Sequence, residues 1–396
     1  MSKSVSERTR LTSATYDLAP SHRAVNVGVE RGSTVLYACA EDLYDDRIQP
    51  GYGIEGLSTQ RELMRLMCEL EGATDVFLLP TGLSALTLAI TACLKAGDEV
   101  VCVNSCYGPI RRFLQTQMAR FGVTARYYDA GASADEVMAL TNDKTALIIV
   151  ESPGSLTFDI QDIPAIAKAA KARGILTLCD NTYGAGVLFK PLDHGIDMSM
   201  QALTKYVGGH SDILIGTVAV KDKALAKRLD DTSRAFSFFT SADESYLAIR
   251  GLRTLHLRLE QSGKSGLELA RWLEGHDLVD RVLHPGLESF PGHDLFKRDF
   301  TGSNGLFSVV LKGGNIAASC AFLNALKLFG LGFSWGGFES LAIHFEPQLM
   351  GRAKLGQSQN LAYEGSLIRF YVGLEDPADL KADIAQALEV YRAAIG

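Results

Sequence analysis

Three short segments of this 396-residue chain set chemically able groups at the start of a helix or the end of a strand. In the first, VFLL runs through Pro80, Thr81 and Gly82 into the helical stretch LSALTLAITACLK. The first N–H groups of a helix lack internal partners and sit at its positive dipole end, so those of Gly82 and Leu83 suit an anionic phosphate. In the second, ILTLC ends in Asp180-Asn181-Thr182-Tyr183. A carboxylate at the end of a buried strand is costly unless a cation or an N–H group meets it. In the third, DMSMQAL ends in Thr204-Lys205-Tyr206, followed by Gly208-Gly209-His210-Ser211-Asp212. A lysine after a buried strand either snorkels to the surface or reacts. Each segment alone has an ordinary structural explanation. Together, a phosphate cradle, a buried carboxylate and a buried amine meet the needs of pyridoxal phosphate. The amine bonds to the aldehyde, the carboxylate keeps the pyridine nitrogen protonated, and the helix start anchors the phosphate.

The elements that must position these groups follow a regular pattern. Strand-like runs VFLL, EVVCV, TARYY, TALIIV and ILTLC alternate with helical stretches, among them PIRRFLQTQMARFG, ADEVMALT and DIPAIAKAAKARG. Such alternation implies a parallel sheet covered on both faces, and open α/β sheets bind ligands at their strand ends. DMSMQAL and ILIGTVAV extend the sheet to seven strands. Before it, a helix is expected with Ser58 or Thr59 as cap, Glu62 closing a capping box from Thr59, an apolar face of Leu63, Leu66, Met67 and Leu70, and Gly72 as its end. After about residue 220 long helices dominate from Lys221 to Leu273. Strand candidates RVLH and LFSVVL follow, then a helix near Ile316 to Leu328 and a final helix from Asp376 to Ala394. This reads as a smaller α+β domain.

Composition excludes other classes. Lys+Arg number 39 against Asp+Glu 46, a net charge of −7 with no like-charge block, which argues against nucleic-acid binding. Apolar residues at 47% and charged residues at 21% are ordinary for a globular chain. The uncharged stretch from Val76 to Leu94 is split by Pro80, Thr81, Gly82 and Ser84 into a strand and a helix, so no membrane span is expected. The opening MSKSVSERTR has no apolar core and reads as no signal peptide, and seven scattered cysteines suit reduced thiols in a cytoplasmic protein. Gly51, Gly53 and Gly56 spell G-x-G-x-x-G, but DDRIQP before them is no buried strand, as a dinucleotide fingerprint requires. Gly263-Lys264-Ser265 lacks the first glycine of a P-loop, and His194, His210, His256 and His293 show no metal-ligand spacing, so no metal is expected.

At the level of longer motifs the chain resembles the Cys/Met-metabolism family of pyridoxal-phosphate enzymes, fold type I, and within it the bacterial cystathionine β-lyase branch. The resemblance runs from about Arg31 onward and is carried by GATDVFLLPTG, ESPGSLTFDIQDIP, DNTYGAGVLFKPLDHGID, QALTKYVGGHSD, RGLRTLHLRL, KRDFTGSNGLFS, SWGGFESL and GSLIRFYVGLED. It implies a transferase-like α/β fold: a mostly parallel seven-stranded sheet flanked by helices, plus a smaller C-terminal α+β domain. The expected divisions are an arm over 1–55 that reaches the neighbouring subunit's site, a cofactor-binding domain over 56–251, and a C-terminal domain over 252–396.

Position by position, the resemblance makes Lys205 the Schiff-base lysine and Asp180 the pyridinium partner. Tyr107, in NSCYGP, matches the tyrosine that stacks on the cofactor ring; Gly82, Leu83 and Thr204 match phosphate-binding positions. Arg369 matches the arginine that grips the substrate α-carboxylate, and Ser334 and Trp335 match the loop lining the substrate site. Tyr52 matches a tyrosine given to the neighbouring site, which implies at least a homodimer, and the family usually forms homotetramers. Lys205, Tyr107 and Tyr52 are the expected proton-transfer groups. The implied reaction is α,β-elimination of cystathionine or related cysteine S-conjugates to a thiol such as homocysteine, pyruvate and ammonia. Three positions differ from the family pattern: Tyr52-Gly53-Ile54 where Tyr-x-Arg is usual, Asn26-Val27-Gly28 where Asn-Pro-Pro is common, and Ala202 where serine is frequent. The β-lyase branch tolerates alanine at the third; the first two leave γ-elimination, γ-replacement or a specialised biosynthetic reaction as the alternative.

Overall fold

The computed structural model describes residues 6–13, 24–45, 47–344 and 366–396. Seven apolar strands form the larger sheet: β1 (Asp75–Leu79), β2 (Glu99–Val103), β3 (Thr124–Tyr128), β4 (Thr145–Glu151), β5 (Leu176–Asp180), β6 (Met198–Ala202) and β7 (Gly216–Val220). Their order is β1-β7-β6-β5-β4-β2-β3. The five strands from β6 to β3 run parallel, while β7 is antiparallel to both β6 and β1. Every residue of β2 and β7 is buried, the mark of strands covered on both faces. Register sets Glu151 of β4 beside Asp180 of β5, so two carboxylates share the carboxyl edge of the sheet.

Helices α2 (Ser58–Glu71), α3 (Gly82–Cys93), α4 (Gly108–Phe113), α5 (Ala134–Ala139), α6 (Ile163–Ala172) and α7 (Lys223–Ala235) accompany this sheet, α1 (Glu7–Thr12) and α8 (Ala242–Leu252) pack on α2, and α9 (Leu255–Glu274) leads to a second sheet. α4 continues into a wider π turn over Leu114–Met118. A second, four-stranded antiparallel sheet follows, built from β8 (Val279–Leu283), β9 (Leu306–Leu311), β10 (Leu341–His344) and β11 (Ser366–Tyr371) in the order β10-β11-β9-β8. The helices α10 (His293–Asp299), α11 (Ile316–Ala325) and α12 (Pro377–Ile395) accompany it. Among the described residues, no helix is long and apolar enough to cross a membrane.

The two misleading motifs are placed as their sequence context implies. Gly53–Glu55 form a single 3-10 turn with no strand before it, and Gly263, Lys264 and Ser265 lie inside α9.

Two local expectations are corrected. α2 begins at Ser58 with Leu57 at its cap and no capping side chain. Thr59 instead donates its hydroxyl proton to Gly28 O at 2.8 Å and accepts Glu30 N–H at 2.9 Å, while Glu62 pairs with Arg65. A long-range tie to the N-terminal segment therefore displaces the local capping box. α11 stops at Ala325 rather than Leu328, because Leu326 turns extended and the next N–H groups point at a carboxylate on α12. Gly72 ends α2 as expected, in the left-handed conformation that glycine adopts without a Cβ penalty.

Candidate active site

The turn from β1 into α3 is built for close approach. A Cβ on Gly82 would lie 2.6 Å from the Cβ of Ala202, and one on Gly216 would strike the carbonyl of Thr81. Both positions therefore need glycine, and Ala202 fits beside Gly82 because it carries only a methyl group. Thr81 caps α3 by accepting the Ser84 N–H at 3.0 Å. This leaves the N–H groups of Gly82 and Leu83 without intrahelical partners. Thr204 lies two residues beyond β6, its hydroxyl accepting Ile215 N–H at 3.1 Å and donating to Ile215 O at 3.3 Å.

Asp180 ends β5 almost wholly buried. Its Oδ1 accepts both the N–H and the hydroxyl of Thr182, at 3.0 and 2.6 Å, and Thr182 also takes the Ala202 N–H at 3.0 Å. Oδ2 has no hydrogen bond among the described residues. Burial pushes the carboxyl pKa up, against the pull of the Thr182 bonds and of the Lys205 charge. The carboxylate is thus oriented through one oxygen and offers the other to a cation.

Lys205 follows β6 in a tight turn, its N–H donating to Ala202 O at 3.1 Å. Its Nζ donates to Ser334 Oγ at 2.6 Å and stands 5.5 Å from the centre of the Trp335 ring. Burial first, and then the nearby Arg369 charge, lower this amine to about 8 against the opposing pull of Asp180. Arg369, on the buried strand β11, donates from Nη2 to the backbone oxygen of the same Ser334 at 2.8 Å. Burial brings its guanidinium down to about 10. Ser334 holds a positive φ of 86°, an uncommon conformation for a residue with a side chain, and one that clusters at functional sites.

Tyr107 caps the start of α4, with its N–H on Glu151 Oε2 at 2.6 Å. Its phenol is raised by burial and then by the charges of Asp180 and Glu151, which places the ring in the same field as Asp180. The site therefore gathers Lys205, Asp180, Ser334, Trp335, Arg369 and Tyr107, with Gly82, Leu83 and Thr204 along the same edge of the sheet. Tyr52 stands apart: it bridges to Thr34 and leaves 53% of its surface open. Sequence reasoning missed Thr182, Glu151 and Gly336. A threonine two residues after an aspartate was a readable turn signal for the first. The roles of Glu151 and Gly336 depend on contacts distant in sequence.

A family profile described as Cys/Met metabolism PLP-dependent enzyme matches residues 8–389. The chain belongs to that family. It is 40% identical over 369 residues to the cystathionine beta-lyase MetC of Escherichia coli, covering 91% of this chain and 92% of that protein. A Wolbachia pipientis protein named L-alanine/L-glutamate racemase is 36% identical over 383 residues, with 92% of each covered. A rat cystathionine gamma-lyase is 36% identical over 341 residues, covering 85% of this chain and 84% of its own. The crystal structure of metB from Corynebacterium glutamicum superposes with a TM-score of 0.90 at 30% identity, covering 98% of each chain. This family member is a fold type I, pyridoxal 5′-phosphate-dependent carbon–sulfur lyase that acts on an amino-acid substrate.

The residues present fit that cofactor. A glycine-walled helix start faces the sheet edge, one oxygen of a buried, oriented aspartate is open, and a buried amine is depressed toward neutrality. Among the described residues no cluster of His, Cys, Asp and Glu is suited to hold a metal ion.

Proposed function

We propose that the chain is a cystathionine β-lyase, cleaving the Cβ–S bond of cystathionine or a related cysteine S-conjugate to give a thiol, pyruvate and ammonia. The observation that carries this reading is the joint grip of Ser334 on Lys205 and Arg369, which puts a base and a carboxylate receptor on two sides of one serine. When bound, pyridoxal phosphate supplies an aldehyde for the substrate amino group and a protonated ring that draws electrons from Cα.

The protein groups then divide the work. The N–H groups of Gly82 and Leu83, with the Thr204 hydroxyl, would hold the phosphate. Asp180 would keep the ring nitrogen protonated, and Tyr107 would stack on the ring. Arg369 grips the α-carboxylate with its planar fork. Lys205, depressed to about 8 from the ordinary lysine value of 10.5, loses its proton at mildly alkaline pH, where an ordinary lysine would stay charged. Its Nζ takes the Cα proton and delivers it to the departing sulfur, so the thiol leaves neutral and the Cβ–S electron pair goes with it. Water then releases ammonia and pyruvate from the three-carbon remainder. Trp335 fills the space beside Lys205 Nζ, which favours β- over γ-chemistry because γ-acting relatives commonly carry a smaller residue there.

The same reading assigns residues 1–55 as the arm, 56–251 as the cofactor domain and 252–396 as the C-terminal domain. Half-exposed Tyr52 acts in the neighbouring subunit's site within a homodimer that pairs into a homotetramer, and the arm brings it there. Seven free cysteines, with Cys93 pushed up to about 12 by burial, suit a reducing cytoplasm.

The deciding experiment incubates purified protein and pyridoxal phosphate with cystathionine and identifies the products. Pyruvate with homocysteine supports the proposal. 2-Oxobutyrate with cysteine replaces it with γ-elimination, the reading favoured by Ile54 where arginine is usual. Epimerised amino acid without keto acid replaces it with racemisation.

A further inference from the structure

The loop that carries Ser334 is closed on itself. Gly330 N–H donates to Ser340 O at 2.9 Å, and Ala342 N–H returns to Gly330 O at 3.0 Å, so the residues between them form a compact Ω-like excursion. Within it Leu331 and Phe333 are exposed, while Trp335 packs against Tyr206. Its tip must hold a strained serine at hydrogen-bond distance from Lys205 and Arg369.

Two carboxylates from the C-terminal segment hold its two ends. On the entry side, Asp383 of α12, 5% exposed, accepts the N–H of Lys327 at 2.9 Å on Oδ1, and those of Leu328 and Phe329 at 2.8 and 3.4 Å on Oδ2. Gln386 donates to its Oδ1 at 3.1 Å. On the exit side, Glu375 accepts the Ser340 N–H and hydroxyl, each at 2.8 Å, through separate oxygens. The neighbouring Leu374 N–H donates to Phe338 O at 2.8 Å. Hydrogen bonds between a carboxylate and backbone N–H groups are short and strong, and they fix the ends of a loop.

We infer that Asp383 and Glu375 are positioning residues of the active site, a pair of carboxylate clamps that set where Ser334 stands between Lys205 and Arg369. The inference rests on the reading of Lys205 as the cofactor-bound lysine. Neither carboxylate touches substrate or cofactor; each acts through the loop. Loosening either end lets Ser334 withdraw, which admits water to Lys205 and releases the Arg369 fork. An ångström of misplacement at reacting groups costs on the order of 100-fold in rate, so small loop shifts register in turnover.

The test compares Asp383→Ala with Leu388→Ala, which removes a fully buried side chain from the same helix but none of the loop's hydrogen bonds. Amide hydrogen exchange of the cofactor-free proteins is read over residues 327–340. The holoenzymes are read for melting temperature, kcat and KM with cystathionine, and the pH midpoint of visible absorption. At comparable loss of melting temperature, Asp383→Ala should speed exchange in the loop, move the pH midpoint and lower kcat/KM by at least about tenfold. Leu388→Ala should do none of these, and Asp383→Asn, which keeps one acceptor, should recover part of the loss. Should Asp383→Ala not fold, Glu375→Ala carries the same readings from the opposite end. Equal behaviour of clamp and control variants overturns the inference. Lys205→Ala separates the two failures: retained visible absorption there defeats the lysine reading, while loop exchange in cofactor-free protein tests the clamps by itself.

Discussion

Gly336 lies directly on the backbone of Lys205. A Cβ at position 336 would fall 2.7 Å from the Lys205 carbonyl carbon and the Tyr206 nitrogen, and the residue holds a φ of 91°. Gly336→Ala is doubly disfavoured, by steric contact and by conformation. It should lower kcat/KM by about 100-fold, because the loop must lift away from the reacting amine. Steady-state kinetics on cystathionine check this, and an unchanged kcat/KM would show that the contact is unimportant.

Lys205→Ala should abolish the visible absorption of the lysine-bound cofactor and cut kcat by about 10²–10⁴-fold, the range for loss of a positioned proton-transfer group. Absorption spectra of the purified variant with added pyridoxal phosphate decide the point.

The depressed amine predicts a pH signature in cofactor-free protein. Lys205 binds its proton less tightly folded, at about 8, than at the ordinary lysine value of 10.5. Between those pH values the unfolded chain holds the proton and the folded chain does not, so this residue's contribution to stability rises with pH across the window. Below it both states are protonated and the contribution is constant and unfavourable. Relative to Lys205→Met, the wild-type melting temperature should therefore climb from about pH 8 to 10.5 and run parallel below. A constant difference throughout would mean an unperturbed lysine.

Arg369→Lys removes the fork that spans a carboxylate and the bond to Ser334 O. A charge-assisted hydrogen bond contributes about 1.5–3 kcal/mol, so KM should rise on the order of 10- to 100-fold, with kcat less affected. Equal losses in kcat and kcat/KM, with KM unchanged, would assign the arginine another role.

Ile54→Arg restores the cation usual in the family at a position 40% exposed. If the arm reaches the neighbouring site, the variant should retain pyridoxal phosphate longer on dialysis. Unchanged or weaker retention would place another cation at that phosphate.

Much of the larger sheet was legible because its strands are apolar runs of near-uniform length and its helices keep a 3.6-residue period. Asp180 and Lys205 were readable for a related reason: ionisable side chains at the ends of buried strands stand out against their surroundings. The smaller sheet was only half visible. RVLH and LFSVVL signalled two strands, whereas Leu341–His344 is too short to show a period, and the strand quality of Ser366–Tyr371 is interrupted by Arg369. The sequence motif matched Ser334 to a substrate-site loop of the family, but its double hold on Lys205 and Arg369 joins segments far apart in the chain. Thr59 misled because a capping motif and a long-range tether use the same hydroxyl.

Asp180 and Lys205 belong to the parallel sheet, whereas Ser334, Arg369 and both carboxylate clamps come from later parts of the chain. During synthesis, the half that would seize an aldehyde therefore emerges well before the half that would admit a substrate. A nascent chain paused between them would hold Lys205 without the Ser334, Trp335 and Arg369 that surround its amine, and chemistry would begin only once β11 and α12 had taken their places.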